Sequence, residues 1–267
     1  MRTSSRATTA ALTLAVVAAA TLNTPQGTSG GATAPGNPTR DAITADGTRV
    51  IASAIRAGGP AAAPRSTTDT ACTDHSYALN RWRVSGTLTW YYNGRAAAPA
   101  VADTALPALT SASDTVATGV NRCGKPATFT TVYAYGGEVG ATAQISADGR
   151  CTGNDGKSVT SWGALPPGVL AYTCTFATEQ GLVLTSDTLL DNRAHTWFTT
   201  RPENCANAYD LETTLTHERL HTAGLAHVNQ AASPDQVMTP ASPPCETSRR
   251  TLGAGDYAGL AALAAQN

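Results

Sequence analysis

The strongest constraint on the fold is a run of eleven residues, His217 to His227, with the sequence HERLHTAGLAH. Its first two histidines, His217 and His221, are four positions apart, so an α-helix would place both side chains on one face. Gly224 follows them, and glycine tolerates the left-handed backbone that ends a helix and redirects the chain. The run therefore predicts a helix that ends near Gly224 and a turn that returns His227 towards the other two histidines.

The same side chains predict a metal site. Three imidazoles with one open position are typical of catalytic zinc, whereas a structural zinc site closes the fourth position. Glu218 adjoins the first ligand, and a carboxylate there can take a proton from a zinc-bound water, whose pKa zinc lowers to about 7, and return it to a leaving amine. We expect one Zn²⁺ held by His217, His221 and His227, with Glu218 as general base and acid. Each histidine alone would more often be a solvated or core residue, but the complete spacing argues against that reading.

The N-terminus has the pattern of an export signal. Arg2 and Arg6 precede an apolar run from Ala10 to Ala20 that only Thr13 interrupts, and the small residues at its end suit a signal peptidase. We expect a signal peptide over residues 1–20 and a secreted, extracellular protein. A short buried helix is the alternative reading of this run.

Cysteine usage agrees with export, because an even number of cysteines in an exported chain is typical of disulfides. The cysteines are Cys72, Cys123, Cys151, Cys174, Cys205 and Cys245. They can pair in many ways, and the sequence does not choose among them. Pairing of neighbours along the chain would give Cys72–Cys123, Cys151–Cys174 and Cys205–Cys245.

Two regions of different composition follow the signal. Residues 21–70 are rich in Ala, Thr, Gly, Ser and Pro, which favours a mostly disordered linker or short propeptide, with at most one weak helix over residues 41–57. All cysteines, tryptophans, tyrosines and histidines lie after residue 70. We therefore expect the folded domain over residues 71–267.

Hydrophobic patterning in that domain predicts helices and strands in mixed order. Asp103 or Thr104 can cap a helix over residues 103–121, Asp210 can cap the helix that carries the histidines, and Asp256 can cap a last helix. Alternating apolar residues indicate strands at residues 82–92, 128–135, 158–162, 169–176 and 182–190. The order strand, helix, several strands, helix is typical of an α+β or mixed α/β fold.

Charge and hydropathy exclude two classes of protein. The formal net charge is −1 and no basic run occurs, so the chain lacks the phosphate-contacting patch of a nucleic-acid-binding protein. No apolar stretch reaches the roughly 18 residues that a transmembrane helix requires. We expect neither a nucleic-acid partner nor a transmembrane segment.

A methionine follows the histidine run at an informative distance. Val237-Met238-Thr239-Pro240 places Met238 eleven residues past His227, and an extended zinc-binding motif followed by a methionine turn is the metzincin signature. The chain resembles zinc metallopeptidases of the metzincin clan and is most similar to the secreted matrixin-like proteases of actinobacteria, over about residues 71–267. Weaker support comes from three stretches: Asn207–Leu211, Thr251–Gly253 with Asp256, and Pro167–Tyr172.

The resemblance implies a fold, a reaction and further site residues. The fold would be a twisted, mostly parallel sheet with an antiparallel edge strand over the active-site helix, plus a C-terminal helix. The protein would be a secreted, monomeric zinc endopeptidase that hydrolyses peptide bonds in protein or peptide substrates. Met238 would form the hydrophobic base beneath the zinc. The exposed edge strand would pair with substrate through Val169, Leu170, Ala171 and Tyr172.

Two positions depart from the pattern of related families. Arg219-Leu220 stands where matrixins usually have a small glycine before the second histidine, which bears on how the helix packs. Pro240 stands where astacins and serralysins place a tyrosine two residues after the methionine, which favours the matrixin side.

Other readings stay open beside the endopeptidase. The main alternative is an exported zinc-containing binding protein without proteolytic activity, and a third reading is hydrolysis of a non-peptide amide or ester; the intact Glu218 favours the enzyme. Cys123 superficially resembles the cysteine switch of matrixin proforms, but it follows the first strand and helix of the domain and belongs to an even set of cysteines. Asp148, Asn154 and Asp155 could bind Ca²⁺, although a plain turn fits them better.

Overall fold

The computed structural model describes residues 40–44, 47–58 and 69–266. The predicted signal peptide over residues 1–20 lies outside the described residues. In the described part of the chain, three α-helices alternate with β-strands, and most strands join one large sheet. The prediction of a mixed α+β fold is confirmed. None of the helices in this part of the chain is long and apolar enough to cross a membrane.

The elements are named here in chain order. The strands are β1 (Arg40–Ile43), β2 (Arg49–Ala57), β3 (Ala78–Leu79), β4 (Thr87–Asn93), β5 (Val132–Glu138), β6 (Ser158–Gly163), β7 (Val169–Ala177), β8 (Val183–Asp191), β9 (Thr196–Phe198), β10 (Ala208–Asp210), β11 (Leu225–Ala226) and β12 (Ala241–Ser242). The α-helices are α1 (Ala105–Thr118), α2 (Leu211–Ala223) and α3 (Ala254–Ala264).

The large sheet has the strand order β1–β2–β7–β8–β6–β4–β5, and β12 pairs additionally with β2. Strands β8, β6, β4 and β5 are mutually parallel, whereas β7 runs antiparallel to β8. Parallel neighbours need a long crossover, and α1 lies in the connection between β4 and β5. Helix α2 contacts α1 and the sheet strands β7, β2 and β8. The helix that carries the histidine run therefore lies against the β2–β7–β8 end of the sheet.

The segment expected to be a disordered linker with one weak helix contains two strands instead. Strands β1 and β2 pair antiparallel, and β2 pairs antiparallel with β7 from Arg49 opposite Ala177 to Ile55 opposite Ala171. The prediction of a helix over residues 41–57 is therefore wrong. Ile51 and Ile55 are buried, and burial against strands distant in sequence outweighs local helix propensity, which is a weak determinant.

The same pairing corrects the expected substrate-binding edge. The sequence predicts Val169 to Tyr172 as an exposed edge strand, but β7 lies between β2 and β8 and all of its residues are buried. The physical reason is that β2 pairs with the backbone donors and acceptors that an edge strand leaves open. The predicted edge is thus covered by a strand from the N-terminal part of the same chain.

Helix α1 is shorter than the predicted span of residues 103–121. It begins after Thr104, whose side chain makes no capping hydrogen bond, and it ends at Gly119, whose φ of 80° is left-handed. Leu109 and Val116 lie on its buried face and belong to the main hydrophobic core. The predicted apolar stripe therefore packs α1 into the core beside α2.

Three disulfides join neighbouring cysteines along the chain: Cys72–Cys123, Cys151–Cys174 and Cys205–Cys245. The prediction of disulfides is confirmed, and the pairing is that of neighbours along the chain. No cysteine is free, so Cys123 is not available as a metal-binding switch. The Cys151–Cys174 disulfide ties the loop before β6 to β7, the strand that β2 covers.

Candidate metal centre

Helix α2 begins where the sequence predicts. The Asp210 carboxylate caps it by accepting a hydrogen bond from the Thr213 N–H at 2.9 Å. The Arg250 guanidinium donates to the same carboxylate, with Nε 2.8 Å from Oδ2. Every residue of α2 except Glu212 is buried. The helix is therefore enclosed along its whole length, which fixes the directions of the side chains it carries.

Gly224 ends α2, also as predicted. Its φ is 123°, a conformation that residues with side chains rarely adopt. A Cβ at this position would lie 2.2 Å from the Trp82 carbonyl oxygen, so glycine is needed for the close approach of these two backbones. The chain then enters β11, which pairs antiparallel with β3. The turn and this short pairing return His227 to the helix.

The structure brings the three predicted ligands together. The Nε2 atom of His227 lies 3.1 Å from Nε2 of His217 and 3.0 Å from Nε2 of His221. Within the described residues, these three histidines are the one group of three or more potential metal ligands whose ligand atoms all lie within 4.8 Å of one another. His217 and His221 are buried and His227 is partly exposed, so solvent reaches the cluster from the His227 side.

Backbone carbonyls set the tautomers of two of the rings. Nδ1 of His217 donates to the Val237 carbonyl at 2.7 Å, and Nδ1 of His221 donates to the Leu225 carbonyl at 2.9 Å, because a carbonyl oxygen can only accept. Both Nε2 atoms therefore present lone pairs to His227. The Nε2 atom of a neutral His227 carries at most one hydrogen and can donate it to only one of these two atoms. The other Nε2 lone pair is then left without a hydrogen-bond donor. A divalent cation accepts all three lone pairs at once, so the donor set fits a metal ion.

Protonation of the rings does not supply the missing donor at neutral pH. Burial holds the pKa of His217 and His221 well below the usual range, and the neighbouring His227 lowers both values further. Burial also lowers the pKa of His227 to about 4. All three rings are therefore neutral at pH 7, which is the state that binds a metal.

Glu218 follows His217 on α2 and is fully buried. Its Oε1 atom accepts a hydrogen bond from the backbone N–H of Ile55 in β2 at 3.2 Å. Its Oε2 atom has no hydrogen-bond partner among the described residues. Burial raises the pKa of this carboxyl to about 8, and the hydrogen bond from the Ile55 N–H lowers it only in part. The carboxyl can therefore hold a proton near neutral pH and has one oxygen free for a further partner.

Met238 is buried in the main core, in a turn that also supports the cluster. The residue before it, Val237, supplies the carbonyl that orients His217. The Asp256 carboxylate accepts hydrogen bonds from the N–H groups of Val237 at 2.8 Å and Met238 at 3.1 Å. The N-cap of α3 is Gly253, so the prediction of Asp256 as N-cap is wrong. Asp256 is the third residue of α3, where its carboxylate accepts a hydrogen bond from the Gly253 N–H at 3.0 Å and also holds the turn beneath His217.

The remaining candidate ligands lie apart from this cluster. Asp148 forms an exposed ion pair, and Asn154 and Asp155 each accept a hydrogen bond from the N–H two residues ahead, as in ordinary turns. The structure therefore does not bring the predicted calcium candidates into the histidine cluster.

Sequence reasoning misses two contacts that build the site. The Ile55 N–H is 163 residues from Glu218 along the chain, and no spacing motif spans such a distance. The Asp256 contact with the turn is likewise between separate elements. The one sequence signal for β2 is the set of branched apolar residues Val50, Ile51 and Ile55 within a stretch of otherwise small or polar residues.

No family model matches this chain, and no curated protein matches it. The features of the chain that bear on its function are therefore the histidine cluster and Glu218.

Proposed function

We propose that this protein is a secreted zinc endopeptidase of the metzincin type, similar to the matrixin-like proteases. The proposal is carried by the convergence of three neutral imidazoles and by Glu218, the residue after His217, whose buried carboxyl has one oxygen with no hydrogen-bond partner among the described residues. Three nitrogen ligands with a fourth position open favour a catalytic zinc ion. Zinc held there would supply Lewis acidity, which polarises a carbonyl group and acidifies water.

The sheet supports the finer fold assignment. Across the sheet, four parallel strands lie in the order β5–β4–β6–β8, and antiparallel β7 lies next to β8. Helix α2 lies against β7 and β8. A methionine turn and a C-terminal helix, α3, follow the ligands. This is the order of elements that the metzincin resemblance implies, with β2 and β1 added outside β7.

The proton transfers are assigned to Glu218. Burial raises the pKa of this carboxyl, and the charge of a zinc ion held by the histidines would lower it, so that the free oxygen can accept a proton from an attacking water molecule and pass it to the leaving nitrogen. The imidazoles of His217 and His221 are fixed by their carbonyl partners, so they need no rearrangement to act as ligands. Asp256 and the Met238 turn hold the His217 carbonyl partner in place.

The substrate class follows from β7. Its backbone pairs with an extended strand, β2, on the side that faces away from β8. An extended peptide can form the same main-chain hydrogen bonds, which recognise the peptide backbone rather than particular side chains. We infer a protein or peptide substrate, bound by a monomer. Disulfides and the predicted export signal support an extracellular site of action.

An exported zinc-containing binding protein is the second candidate. The observation that favours it is β2 itself, since the Ile55 N–H is hydrogen-bonded to Glu218 and the adjoining strand is covered. A centre that stays covered would hold zinc without hydrolysing peptides. Hydrolysis of a non-peptide amide or ester is a third outcome of the same experiment.

The test is zinc-dependent cleavage by the purified full-length chain. We would load one equivalent of zinc, add a defined peptide mixture, and map new termini by mass spectrometry. Cleavage of the protein's own chain would be scored together with cleavage of the added peptides. New termini should form with zinc and not with a chelator, and the His227→Ala variant should form none. Retention of one zinc per chain with no bond cut would favour the binding protein over the endopeptidase.

A further inference from the structure

Strand β2 lies between two segments that flank the candidate site. It pairs antiparallel with β7 on one side and parallel with β12, just after the Met238 turn, at its C-terminal end. Three backbone hydrogen bonds mark that end: Arg56 N–H to the Pro240 carbonyl, Ala57 N–H to the Gly168 carbonyl, and Gly58 N–H to the Ser242 carbonyl. The strand is thus held from both sides as it passes Glu218.

A peptide substrate has to meet the same requirements. It must be extended to pair with β7, and the nitrogen that leaves must lie within hydrogen-bond reach of Glu218, about 2.6–3.2 Å for a proton donor. One backbone nitrogen of β2 satisfies this condition, because Ile55 N lies 3.2 Å from Oε1 of Glu218. The bond that ends at this nitrogen is Ala54–Ile55.

We propose that β2 is a tethered substrate mimic, which closes the candidate site and presents its Ala54–Ile55 bond to Glu218. The cleavage of this bond rests on the proposed peptidase function, whereas the position of β2 next to Glu218 does not. The proposal also names a substrate preference, since Ile55 is 1% exposed within the main core. The residue after the cleaved bond should be aliphatic and buried.

The implied reaction is hydrolysis of the chain by its own site. The oxygen of one water molecule bonds to the Ala54 carbonyl carbon, and the Ala54–Ile55 C–N bond breaks. Glu218 takes a proton from the water and delivers it to the Ile55 nitrogen, so Glu218 ends in its starting state. The products are a new carboxylate at Ala54 and a new amino group at Ile55.

Two substitutions should release the strand by different means. Ile55→Asp places a charge in the core position, where burial is costly. Gly58→Val leaves the apolar residues intact, but a Cβ at Gly58 would lie 2.9 Å from backbone atoms of Ser242 and Pro243, so the strand end must move away. Ile43→Asp is the matched control, because Ile43 is 64% exposed on the neighbouring strand β1.

The first experiment needs neither zinc nor catalysis. Metal-free full-length proteins are compared by hydrogen exchange and by fluorescence anisotropy with a labelled synthetic peptide of residues 49–58, RVIASAIRAG. In both releasing variants, amides of β2 and β7 should exchange faster while α1 stays protected. The peptide should bind these variants at least about tenfold more tightly than wild type or Ile43→Asp, because the tethered strand no longer competes.

Equal binding of the peptide to wild type and to the releasing variants would overturn the proposal. So would a variant whose β2 exchanges freely, with α1 protected, yet does not bind the peptide. If Ile55→Asp loses protection in α1 and is therefore unfolded, Gly58→Val carries the test alone. A peptide in which the second isoleucine is replaced by Asp should not bind.

Zinc then separates the two proposals. With zinc added, wild type should produce a new N-terminus at Ile55, and the releasing variants should hydrolyse added peptides faster than Ile43→Asp. Binding of the peptide without any zinc-dependent cleavage would leave the mimic in place and reject the peptidase. Equal peptide hydrolysis by wild type and both releasing variants, with no cut at Ala54–Ile55, would reject the mimic and leave the peptidase.

Discussion

Helix α2 and strand β2 meet at Glu218, but different forces place them there. Within α2 the helix period alone puts His217 and His221 on one face. Strand β2 is positioned by hydrogen bonds to a strand far away in sequence, with Ala52 opposite Cys174. The helix is enclosed by the core along its length, whereas β2 is held by strand pairing and by the burial of Ile51 and Ile55. The core therefore fixes the ligand set, and we expect strand β2, which covers it, to open separately.

The largest effect is expected from the loss of a metal ligand. His227→Ala leaves two ligands, so zinc affinity should fall by more than about 100-fold, beyond the loss that follows when only an outer partner of a ligand is removed. Competition titration with a zinc chelator measures this. His75→Ala is the control, because His75 is exposed and outside the cluster. Zinc affinity within a few-fold of wild type in His227→Ala would show that the metal is held elsewhere.

The next effect concerns the turn that returns His227. Gly224→Ala forces a side chain onto a φ of 123° and against the Trp82 carbonyl, so we expect a loss of at least about 3 kcal/mol in the free energy of unfolding. Gly86→Ala is the matched control, since its φ of 72° is also left-handed but a Cβ there meets nothing within 4 Å. It should cost about 1–2 kcal/mol from backbone strain alone. Denaturant titration compares the two, and equal losses would refute the close-approach argument.

The third effect concerns the burial of strand β2. Ile51 is buried in a small cluster with Trp82 and Ala177, so Ile51→Ala should lower the free energy of opening of β2 by about 2 kcal/mol or more. Zinc affinity should stay within about twofold, because effects at distant sites add nearly independently. Hydrogen exchange and zinc titration on the same sample measure both. A parallel fall in zinc affinity would mean that β2 and the ligands form one unit.

The smallest effect tests the other face of α2. The Arg219 guanidinium is buried over the Trp90 ring, with hydrogen bonds to the Ser113 and Thr160 hydroxyls and no ion pair among the described residues. Arg219→Met keeps the bulk and removes an unpaired buried charge, so the free energy of unfolding should change by less than about 1.5 kcal/mol in either direction. Arg219→Ala should cost about 2–4 kcal/mol, because it leaves a cavity. A larger loss in Arg219→Met than in Arg219→Ala would assign the guanidinium an essential polar role.

The same contrast explains how much the sequence could predict. The end of α2 at Gly224, its cap at Asp210 and the convergence of the histidines follow from local spacing and backbone preferences. Strand β2 could not be predicted, because Ala52, Ser53 and Ala54 have no strong preference and their partners in β7 are distant in sequence. The error over an exposed β7 edge follows directly from that omission.

Asp256 shows the same limit on a smaller scale. The sequence places it correctly near the start of α3, and there a carboxylate is ordinarily a cap. Its carboxylate also accepts hydrogen bonds from the N–H groups of Val237 and Met238, which lie 19 and 18 residues away. A residue that links two elements cannot be recognised from the preferences of one of them.

The central claim is that Glu218 moves the proton while the histidines hold zinc. Glu218→Gln keeps the side-chain shape and leaves all three imidazoles, so zinc content should match that of the parent. The rate of peptide hydrolysis should fall by about 10²–10⁴-fold, the usual contribution of general acid–base catalysis. Both proteins are best compared in the Gly58→Val background, so that β2 covers neither site. Equal zinc content with this loss of rate is the predicted result, and undiminished hydrolysis by Glu218→Gln would contradict the account.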